Sequence, residues 1–427
     1  MTRECALPAT LSEWLAHIER VHPRTIEMGL DRVIAVRNAL GLEPGFPIFT
    51  IAGTNGKGSA CAMLEAILDH AGFRVGCYTS PHLVRYNERV RIGRTEASDA
   101  DLARALAAVD AARGETALTY FEFSTLAAMW LFEREAVDVA VLEVGLGGRL
   151  DAVNAFDADC ALVMTVDLDH MDYLGETREE IGREKAGVLR AGRPAVCGDE
   201  DPPRSLLDYA RDVGAGLLLA GRDFGYEAAP RQWRYWGPRC ERHGLPHPAL
   251  RGDYQIGNAA ACLAALDVLR DRVPVSAADV RTGLLTVENP GRFQVLAGRP
   301  AVILDVAHNP AAARALGKNL ARMPRAGRTF AVFAMLKDKD IGGVIAETKA
   351  QVDEWLVSGI EAPRGADAAH LANQLARAGV LENVSVHASV GTAYARAWEK
   401  AGENDRIVVF GSFHTVAAVM AGHGETH

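Results

Sequence analysis

Short apolar runs alternate with longer stretches of helical periodicity from about residue 47 to the C-terminus. In the first half of the chain these runs are 47–52, 75–80, 137–144 and 160–166, and each ends in small or polar residues. Such alternation is typical of parallel sheets that are covered by helices. Ligands of open α/β sheets bind at the carboxyl ends of the strands. The pattern therefore predicts an α/β protein with its site where these runs end.

A second series of apolar runs follows a Pro-Gly turn at residues 290 and 291. Because one apolar core rarely serves more than about 300 residues, a chain of 427 residues is expected to form two to three domains. We place a boundary at this turn, which predicts domains 1–289 and 290–427, the second an independent Rossmann-like α/β domain. The least regular stretch, 202–248, is a candidate for an antiparallel elaboration. The runs of the second series are 301–306, 329–335, 354–359, 384–389 and 406–411.

The composition excludes several classes of protein. Hydrophobic residues make up 49% and charged residues 24% of the chain, as in soluble globular proteins. A formal net charge of -9 works against binding a nucleic-acid backbone, so nucleic acid is not an expected partner. Seven scattered cysteines without a C-x-x-C pair indicate reduced thiols of a cytoplasmic protein. The sequence has no run typical of a signal peptide or of a membrane span, so no membrane association is expected.

The strongest chemical signal is the segment GTNGKGS at residues 53–59, which lies between a predicted strand and a predicted helix. Its glycines allow backbone N–H groups to converge on a phosphate, while Lys57 adds a positive charge and Ser59 can reach a metal ion. The segment is two residues shorter than the common G-x-x-x-x-G-K-[ST] loop and carries an additional Gly58. The combination of strand, glycine-rich turn and helix favours a phosphate-binding loop over a turn without function.

Three further residues are candidates with open alternatives. Glu143 ends a predicted buried strand, where phosphate-loop proteins often hold a magnesium ligand, but it could also be a capping or ion-paired acid. His170 follows another strand and is either a metal ligand or an ordinary hydrogen-bonding residue. For Lys185, on a charged helix, a solvent-exposed ion pair is the default expectation. The G-L-G-G-R segment after Glu143 lacks the third glycine of a dinucleotide fingerprint, which argues against NAD.

Part of the segment DVAHNP, residues 305–310, has a simple structural explanation. Asn309 is suited to cap a helix and Pro310 to be its first residue. This explanation accounts for neither Asp305 nor His308, which stay candidates for a functional role.

Ten segments in chain order resemble the folylpolyglutamate synthase family, and most closely its bacterial bifunctional dihydrofolate synthase/folylpolyglutamate synthase members. A more distant similarity is to the murein peptide ligases. The resemblance implies a Mur ligase-like arrangement, in which an N-terminal P-loop ATPase domain with a parallel sheet precedes a C-terminal Rossmann-like α/β domain. The segments are GTNGKGS (53–59), YTSPHLVRYNER (78–89), YFEFSTLAA (120–128), LEVGLGGRLDAVN (142–154), LDHMDYLG (168–175), GREKAGVLR (182–190), PGRF (290–293), DVAHNP (305–310), LKDKD (336–340) and GSFHTVAAVM (411–420).

The activity that the resemblance implies is the ATP-dependent ligation of L-glutamate to a carboxylate through an acyl phosphate. The acceptors would be dihydropteroate, which gives dihydrofolate, and tetrahydrofolate with its polyglutamates, which give longer folylpolyglutamates. Two Mg²⁺ ions are expected with ATP, together with a monovalent cation such as K⁺. The protein is expected to be a monomer.

The resemblance also implies roles for residues of this chain. Contacts to ATP fall on Thr54, Asn55, Gly56, Lys57, Gly58, Ser59, Asn258, Arg292 and Asp305. Magnesium ligands fall on Ser80, Glu143 and His170. Pterin contacts fall on Thr25, Ile26, Glu27, Met28, Thr119, Tyr120, Phe121 and Leu150. Glutamate contacts fall on His308 and Ser412, and the catalytic residues are Lys57, His170 and Lys185.

Lys185 is implied to be carbamylated, as N6-carboxylysine. A free amine with a pKa of about 10.4 would be cationic and would repel magnesium, whereas a carbamate is an anion. One departure from the family pattern is Tyr254, because many members have a histidine before the glutamine that is Gln255 here.

Three alternatives stay open. A monofunctional folylpolyglutamate synthase would use tetrahydrofolate but not dihydropteroate. A murein-type amino acid ligase would share the phosphate loop and Glu143, but would leave the SPHL and YFEF segments without explanation. A phosphate-loop switch or motor would hydrolyse ATP regardless of pteroate and glutamate.

Overall fold

The computed structural model describes residues 8–22, 24, 26–324 and 327–423 of the chain. Within these ranges fifteen α-helices and seventeen strands occur, and the strands form three sheets. In this part of the chain no helix is both long enough and apolar enough to cross a membrane. The six cysteines that it includes are free thiols, five of them buried.

An eight-stranded sheet forms the larger part of the molecule. Its strands are β1 (Ile48–Ala52), β2 (Val75–Tyr78), β3 (Val90–Ile92), β4 (Thr95–Glu96), β5 (Val139–Glu143), β6 (Cys160–Val163), β7 (Pro194–Cys197) and β8 (Gly216–Leu219). The order across the sheet is β4-β3-β2-β5-β1-β6-β7-β8; β3 pairs antiparallel with both β2 and β4, and all other pairs are parallel. The carboxyl ends of β1, β5 and β6 therefore lie side by side.

Strand β1 lies between two hydrophobic cores. Ile48 and Ala52 point into one core, while Phe49 and Ile51 point into the other. This alternation follows from the two-residue period of a strand, and burial on both faces explains why the run is continuously apolar.

Helices cover both faces of this sheet. The first core contains side chains of α1 (Leu11–Val21), α2 (Asp31–Leu40), α4 (Asp99–Arg113), α5 (Tyr120–Arg134), α7 (Arg178–Ala186) and α8 (Arg204–Val213). The second contains α3 (Lys57–His70), α9 (Tyr254–Val268) and α10 (Ala277–Thr286). A short helix, α6 (Met171–Leu174), follows β6, and 3₁₀ turns occupy Tyr86–Arg89 and Ala152–Ala155.

A small antiparallel sheet lies within the irregular stretch 202–248, as the sequence suggested. Its strands β9 (Gly225–Ala228), β10 (Trp233–Trp236) and β11 (Glu241–Leu245) pair in the order β11-β10-β9. Trp233 and Tyr235 are fully buried against the second core, which attaches this sheet to α9 and α10.

A six-stranded sheet with its own core follows α10. Its strands are β12 (Gln294–Leu296), β13 (Ala301–Asp305), β14 (Thr329–Phe333), β15 (Glu354–Ser358), β16 (Val384–His387) and β17 (Arg406–Phe410). Their order is β12-β13-β17-β14-β15-β16, parallel except for the edge strand β12. The accompanying helices are α11 (Pro310–Arg322), α12 (Ile341–Thr348), α13 (Ala368–Arg377), α14 (Val390–Lys400) and α15 (Phe413–His423), with a 3₁₀ turn at Lys349–Gln351.

Each of the nine apolar runs singled out in the sequence contains one strand. The α/β prediction is therefore confirmed. The Pro-Gly turn lies between α10 and β12.

Candidate active site

A cavity of about 800 Å³ lies between the carboxyl ends of the two large sheets. One wall comes from the eight-stranded sheet and the other from the segments that follow β13, β14 and β17. The cavity brings together most of the residues predicted for the site, namely Gly53–Ser59, Ser80, Glu143, His170, Lys185, Asn258, Arg292, Asp305, His308 and Ser412.

The glycine-rich loop connects β1 directly to α3. Gly53 and Gly56 have φ angles of 145° and 87°, which favour glycine. A Cβ atom at Gly56 would lie 2.9 Å from Oδ1 of Asn258, so a side chain there would also crowd this neighbour. Lys57 is the first residue of α3, and its Nζ donates to the carbonyl oxygens of Gly53 (2.9 Å) and Thr54 (3.3 Å). The loop thus keeps a positive charge beside free helical N–H groups, the arrangement that binds phosphate.

Hydrogen bonds attach the loop to both walls. The Thr54 N–H donates to Thr165 O (2.7 Å), and the Thr54 hydroxyl exchanges hydrogen bonds with the backbone of Asp167. Asn55 and Asn309 exchange side-chain amide hydrogen bonds of 3.2 and 3.1 Å across the cavity. The loop is therefore positioned by contacts from β6 and from the start of α11.

Glu143 is the last residue of β5 and is buried at the base of the cavity. Its Oε2 accepts a hydrogen bond from the Ser80 N–H at 3.1 Å. Burial raises the pKa of Glu143, although the charge of Lys57 opposes this shift. A buried carboxylate is costly unless it meets positive charge, so this position suits a cation. Ser59, on the same side of the loop, accepts a hydrogen bond from Gln255 at 3.2 Å.

His170 precedes α6 and has a left-handed backbone with φ of 51°. Burial lowers the pKa of His170 to about 4, so its ring is neutral at neutral pH. A neutral imidazole is the form that binds metal ions. Lys339 Nζ lies 3.2 Å from its Nε2.

The default expectation for Lys185, a solvent-exposed ion pair, was wrong. Its side chain is on the inner face of α7 and only 4% of the residue is exposed. Burial, with a further contribution from the charge of Lys57, lowers the pKa of Lys185 to about 7. The neighbouring Glu184 forms the surface ion pair instead, with Arg149 at 2.8 Å. Because most residues of α7 are charged, the sequence did not indicate that Lys185 faces inward.

Asp305 and Arg292 lie where the eight- and six-stranded sheets meet. Burial raises the pKa of Asp305 to about 6, and its carboxylate accepts hydrogen bonds from the backbone N–H groups of Phe293 and Ala307. The Arg292 guanidinium lies over the ring of Phe413, 4.9 Å from the centroid, and burial lowers the pKa of Arg292.

The two predicted glutamate-binding residues lie on the wall of the six-stranded sheet. His308 Nδ1 donates to Val306 O (2.9 Å). The Ser412 hydroxyl accepts from Thr415 N–H (3.0 Å) and contacts Thr415 Oγ1 at 2.6 Å. Because Thr415 Oγ1 donates to Ala334 O, the Ser412 proton must go to Thr415. Ser412 can therefore only accept a hydrogen bond from a ligand.

The predicted pterin residues do not line this cavity, and Thr25 lies outside the described residues. Three of the others, Met28, Phe121 and Leu150, lie at the turn 145–150, whose opposite side faces the cavity. A Cβ atom at Gly145 would lie 2.6 Å from the ring of Phe121, and one at Gly147 would lie 3.7 Å from Met28 Cε. Leu150 accepts a hydrogen bond from Gly29 at 3.4 Å. The remaining members are Ile26, Glu27, which pairs with Arg32 at 2.9 Å, Thr119, which caps α5, and Tyr120, whose ring lies beside Arg89.

Sequence reasoning assigned no role to two buried residues of the cavity, Asp169 and Lys339. Asp169 Oδ1 lies 2.5 Å from Lys339 Nζ. Burial raises the pKa of Asp169, but His308 and Lys339 outweigh this effect and hold the pKa well below its usual range. The only sequence signal was that both residues follow strands within segments of the family resemblance.

The donor atoms of the cavity suit magnesium bound together with a nucleotide. Among residues 8–22, 24, 26–324 and 327–423, no group of three or more His, Cys, Asp or Glu side chains forms a metal centre by itself. The cavity offers a carboxylate at Glu143, a hydroxyl at Ser80 and a neutral imidazole at His170. Magnesium commonly takes one or two carboxylates and completes its shell with phosphate oxygens and waters.

Comparisons with known proteins give a consistent result. Residues 51–211 match the Mur ligase middle domain and residues 291–413 match the Mur ligase glutamate ligase domain. The chain is 44% identical to the dihydrofolate synthase/folylpolyglutamate synthase of Escherichia coli (strain K12), over 98% of this chain and 96% of that protein. The structure of E. coli FolC in complex with DHPP and ADP matches with a TM-score of 0.93 and 44% identity, covering 98% and 99% of the two chains. A bifunctional folylpolyglutamate synthase/dihydrofolate synthase with Mn, AMPPNP and L-glutamate bound matches with a TM-score of 0.91 and 45% identity, covering 98% and 99%.

Proposed function

Because this chain belongs to the dihydrofolate synthase/folylpolyglutamate synthase family of Mur ligases, we propose that it joins L-glutamate to dihydropteroate and to reduced folates. The first reaction gives dihydrofolate and the second gives folylpolyglutamates, both driven by ATP. The observation that carries this proposal is the cavity in which a phosphate loop faces a second, separately folded wall. The relatives that bind DHPP and ADP, or AMPPNP and L-glutamate, share this fold over nearly the whole chain.

The nucleotide is proposed to lie along the glycine-rich loop. The N–H groups at the start of α3 and the Lys57 ammonium would hold the phosphates. Asn258, beside Gly56, and Arg292 with Asp305 would contact the nucleoside. The remaining ATP-binding residues are Thr54, Asn55, Gly58 and Ser59.

Magnesium is proposed to be held by Ser80, Glu143 and His170. When bound with ATP it would neutralise negative charge on the transferring group. The relative with Mn and AMPPNP bound supports a divalent ion that binds together with the nucleotide. Two Mg²⁺ ions and a monovalent cation such as K⁺ stay predictions, as do a monomeric state and a cytoplasmic location.

Lys185 is proposed to be carbamylated. Its burial and its pKa of about 7 leave a large share of the amine neutral at neutral pH, which supports this proposal. A neutral amine can attack CO₂ through its nitrogen lone pair, and loss of one proton gives the carbamate. The product is an anion, which suits a position close to a divalent cation.

The reaction needs no nucleophilic side chain. A carboxylate oxygen of the acceptor attacks the γ-phosphorus of ATP, and ADP leaves, which gives an acyl phosphate. The glutamate amine then attacks the acyl carbon, and phosphate leaves as the amide forms. Most of the acceleration would come from positioning the partners and from excluding water, which would otherwise hydrolyse the acyl phosphate.

The two substrates are proposed to meet the cavity from different sides. His308 and Ser412 would hold glutamate, with Ser412 accepting a hydrogen bond from its ammonium. The pterin would lie on the far side of the turn 145–150, against Met28, Phe121 and Leu150, with further contacts proposed from Ile26, Glu27, Thr119 and Tyr120. Thr25, which belongs to the same predicted set, lies outside the described residues. This arrangement supports the division into an ATP- and pterin-binding domain, 1–289, and a glutamate-binding domain, 290–427.

A phosphate-release assay with ATP and glutamate tests the proposal. Dihydropteroate and tetrahydrofolate should each stimulate release over a control without acceptor, and each should competitively inhibit use of the other. Stimulation by tetrahydrofolate alone would show a monofunctional enzyme. Release that ignores both acceptors would contradict the ligase.

A further inference from the structure

A buried ion pair joins the two walls of the cavity, and the reaction described above does not use it. Asp169 follows β6 of the eight-stranded sheet, and Lys339 lies between β14 and α12 of the six-stranded sheet. Lys339 Nζ and Asp169 Oδ1 are 2.5 Å apart, and the two side chains are 5% and 9% exposed. Both side chains are therefore largely shielded from bulk solvent, although both line the cavity.

Asp169 also contacts the start of α11. Its Oδ2 accepts a hydrogen bond from Asn309 at 3.3 Å and lies 3.5 Å from His308 Nε2. Its Oδ1 accepts from the backbone N–H of His170 at 2.9 Å. One carboxylate of the first wall thus contacts three side chains of the second wall, and Asn309 in turn contacts Asn55 of the phosphate loop.

These contacts constrain the separation of the walls. A hydrogen-bonded ion pair is strong only over a short range, and losing one partner leaves the other charge buried and uncompensated. Glutamate bound near His308 can reach an acyl group near the phosphate loop only if the walls keep a fixed distance. A misplacement of about 1 Å can cost about 100-fold in rate.

We propose that Lys339 is a positioning residue, which through its ion pair with Asp169 holds the glutamate-binding wall at the distance from the phosphate loop that amide formation requires. The inference rests on the proposed ligase function. Lys339 Nζ also lies 3.2 Å from His170 Nε2 on the same wall as Asp169, so the proposed role acts through residues of the first wall rather than through contact with a substrate.

The first test is small-angle X-ray scattering of the full chain without nucleotide or metal. Lys339→Met removes the charge while keeping the length of the side chain, and Asp169→Asn removes the opposite charge. Both variants should have a larger radius of gyration than the wild type. Lys337→Met is the matched control, because Lys337 lies in the same loop and is exposed, and its scattering should not change. An unchanged radius of gyration for both test variants would overturn the proposal.

The second test is kinetic. Lys339→Met should raise the KM for glutamate by about tenfold or more, as expected for loss of one partner of a buried pair, while the KM for ATP stays close to wild type. Lys339→Arg should keep the KM for glutamate close to the wild-type value because arginine retains the positive charge. The Asp169→Asn/Lys339→Met double variant should be little worse than either single variant. Additive effects would indicate that Lys339 contacts a substrate directly, which would contradict the proposal.

The two proposals can fail separately. If the wild type does not use dihydropteroate or tetrahydrofolate, the ligase proposal fails while the scattering comparison still decides the role of the ion pair. If Lys339→Met does not fold, as judged by circular dichroism, Asp169→Asn still removes one charge of the pair and gives the comparison with the wild type and with Lys337→Met.

Discussion

The two walls of the cavity use the same local motif in opposite ways. Each wall places a strand, a short turn and a helix N-terminus at the cavity, as β1 with α3 on one side and β13 with α11 on the other. Among the described residues, α3 follows Gly56 without a side-chain cap, whereas Asn309 caps α11 by accepting from Ala312 N–H at 2.9 Å. Ser412 caps α15 in the same manner.

This difference separates a backbone site from a side-chain site. The first N–H groups of a helix have no partner within the helix and must find one in a cap, in water or in a ligand. At α3 they are free to bind an anion, while at α11 and α15 the caps already use part of them. The first wall is therefore suited to phosphates, and the second must recognise its ligand through side chains such as His308.

The largest effect is expected from Lys57→Ala, which removes the one charged side chain of the backbone site. Turnover should fall by about 10³-fold or more, as for loss of a group that stabilises transition-state charge. The fold should persist, because the hydrogen bonds of the ammonium within the described part of the chain go to carbonyl oxygens of its own loop. Phosphate release and circular dichroism check both statements. Near wild-type turnover would contradict the assignment of the first wall as the phosphate-binding one.

Glu143→Gln and His170→Ala should weaken the binding of magnesium rather than the binding of phosphates by the loop. Each is expected to lower turnover by about 100-fold or more and to shift the magnesium titration to higher concentration, since a metal ion that has lost one ligand would bind more weakly and neutralise less charge. Titration of activity with magnesium is the measurement. If both variants titrate like the wild type, these side chains do not hold the metal.

Lys185→Ala tests whether the first wall also needs an added anion. Activity should fall by about 100-fold and should be partly restored by small carboxylic acids, which replace the carbamate. Mass spectrometry of the intact wild type, under conditions that retain CO₂, should show the additional carboxyl mass at Lys185. Full activity of the alanine variant would contradict the modification.

The smallest effect is expected from Ser412→Ala, on the wall of the six-stranded sheet. Loss of the cap should lower the free energy of unfolding by about 1 kcal/mol. The KM for glutamate should rise only a few-fold, because the hydroxyl can offer a single acceptor contact. Thermal unfolding and glutamate titration measure the two changes. Ser412→Asn, which keeps a capping oxygen, should recover the stability, and a failure to do so would argue against the cap.

The sequence was informative wherever function depends on residues that are neighbours along the chain. The glycines and lysine of 53–59 predicted the phosphate loop, and Asn309 with Pro310 predicted the start of α11. The Asp169–Lys339 contact could not be predicted, because its partners are 170 positions apart and are joined by packing of two sheets. The burial of Lys185 was missed because α7 is predominantly charged, and only the tertiary structure shows which face is covered.

The position of β1 between two cores has a consequence for motion in the protein. Its amides are paired on both sides and shielded by side chains on both faces, so they should exchange with deuterium only in global unfolding. The phosphate loop begins at the next residue after this strand. The base of the loop is therefore rigid, and we expect closure of the cavity to involve movement of the six-stranded sheet rather than displacement of β1. Deuterium uptake that changes with nucleotide should accordingly be confined to the phosphate loop, residues 53–59, and to the segments that connect the two sheets.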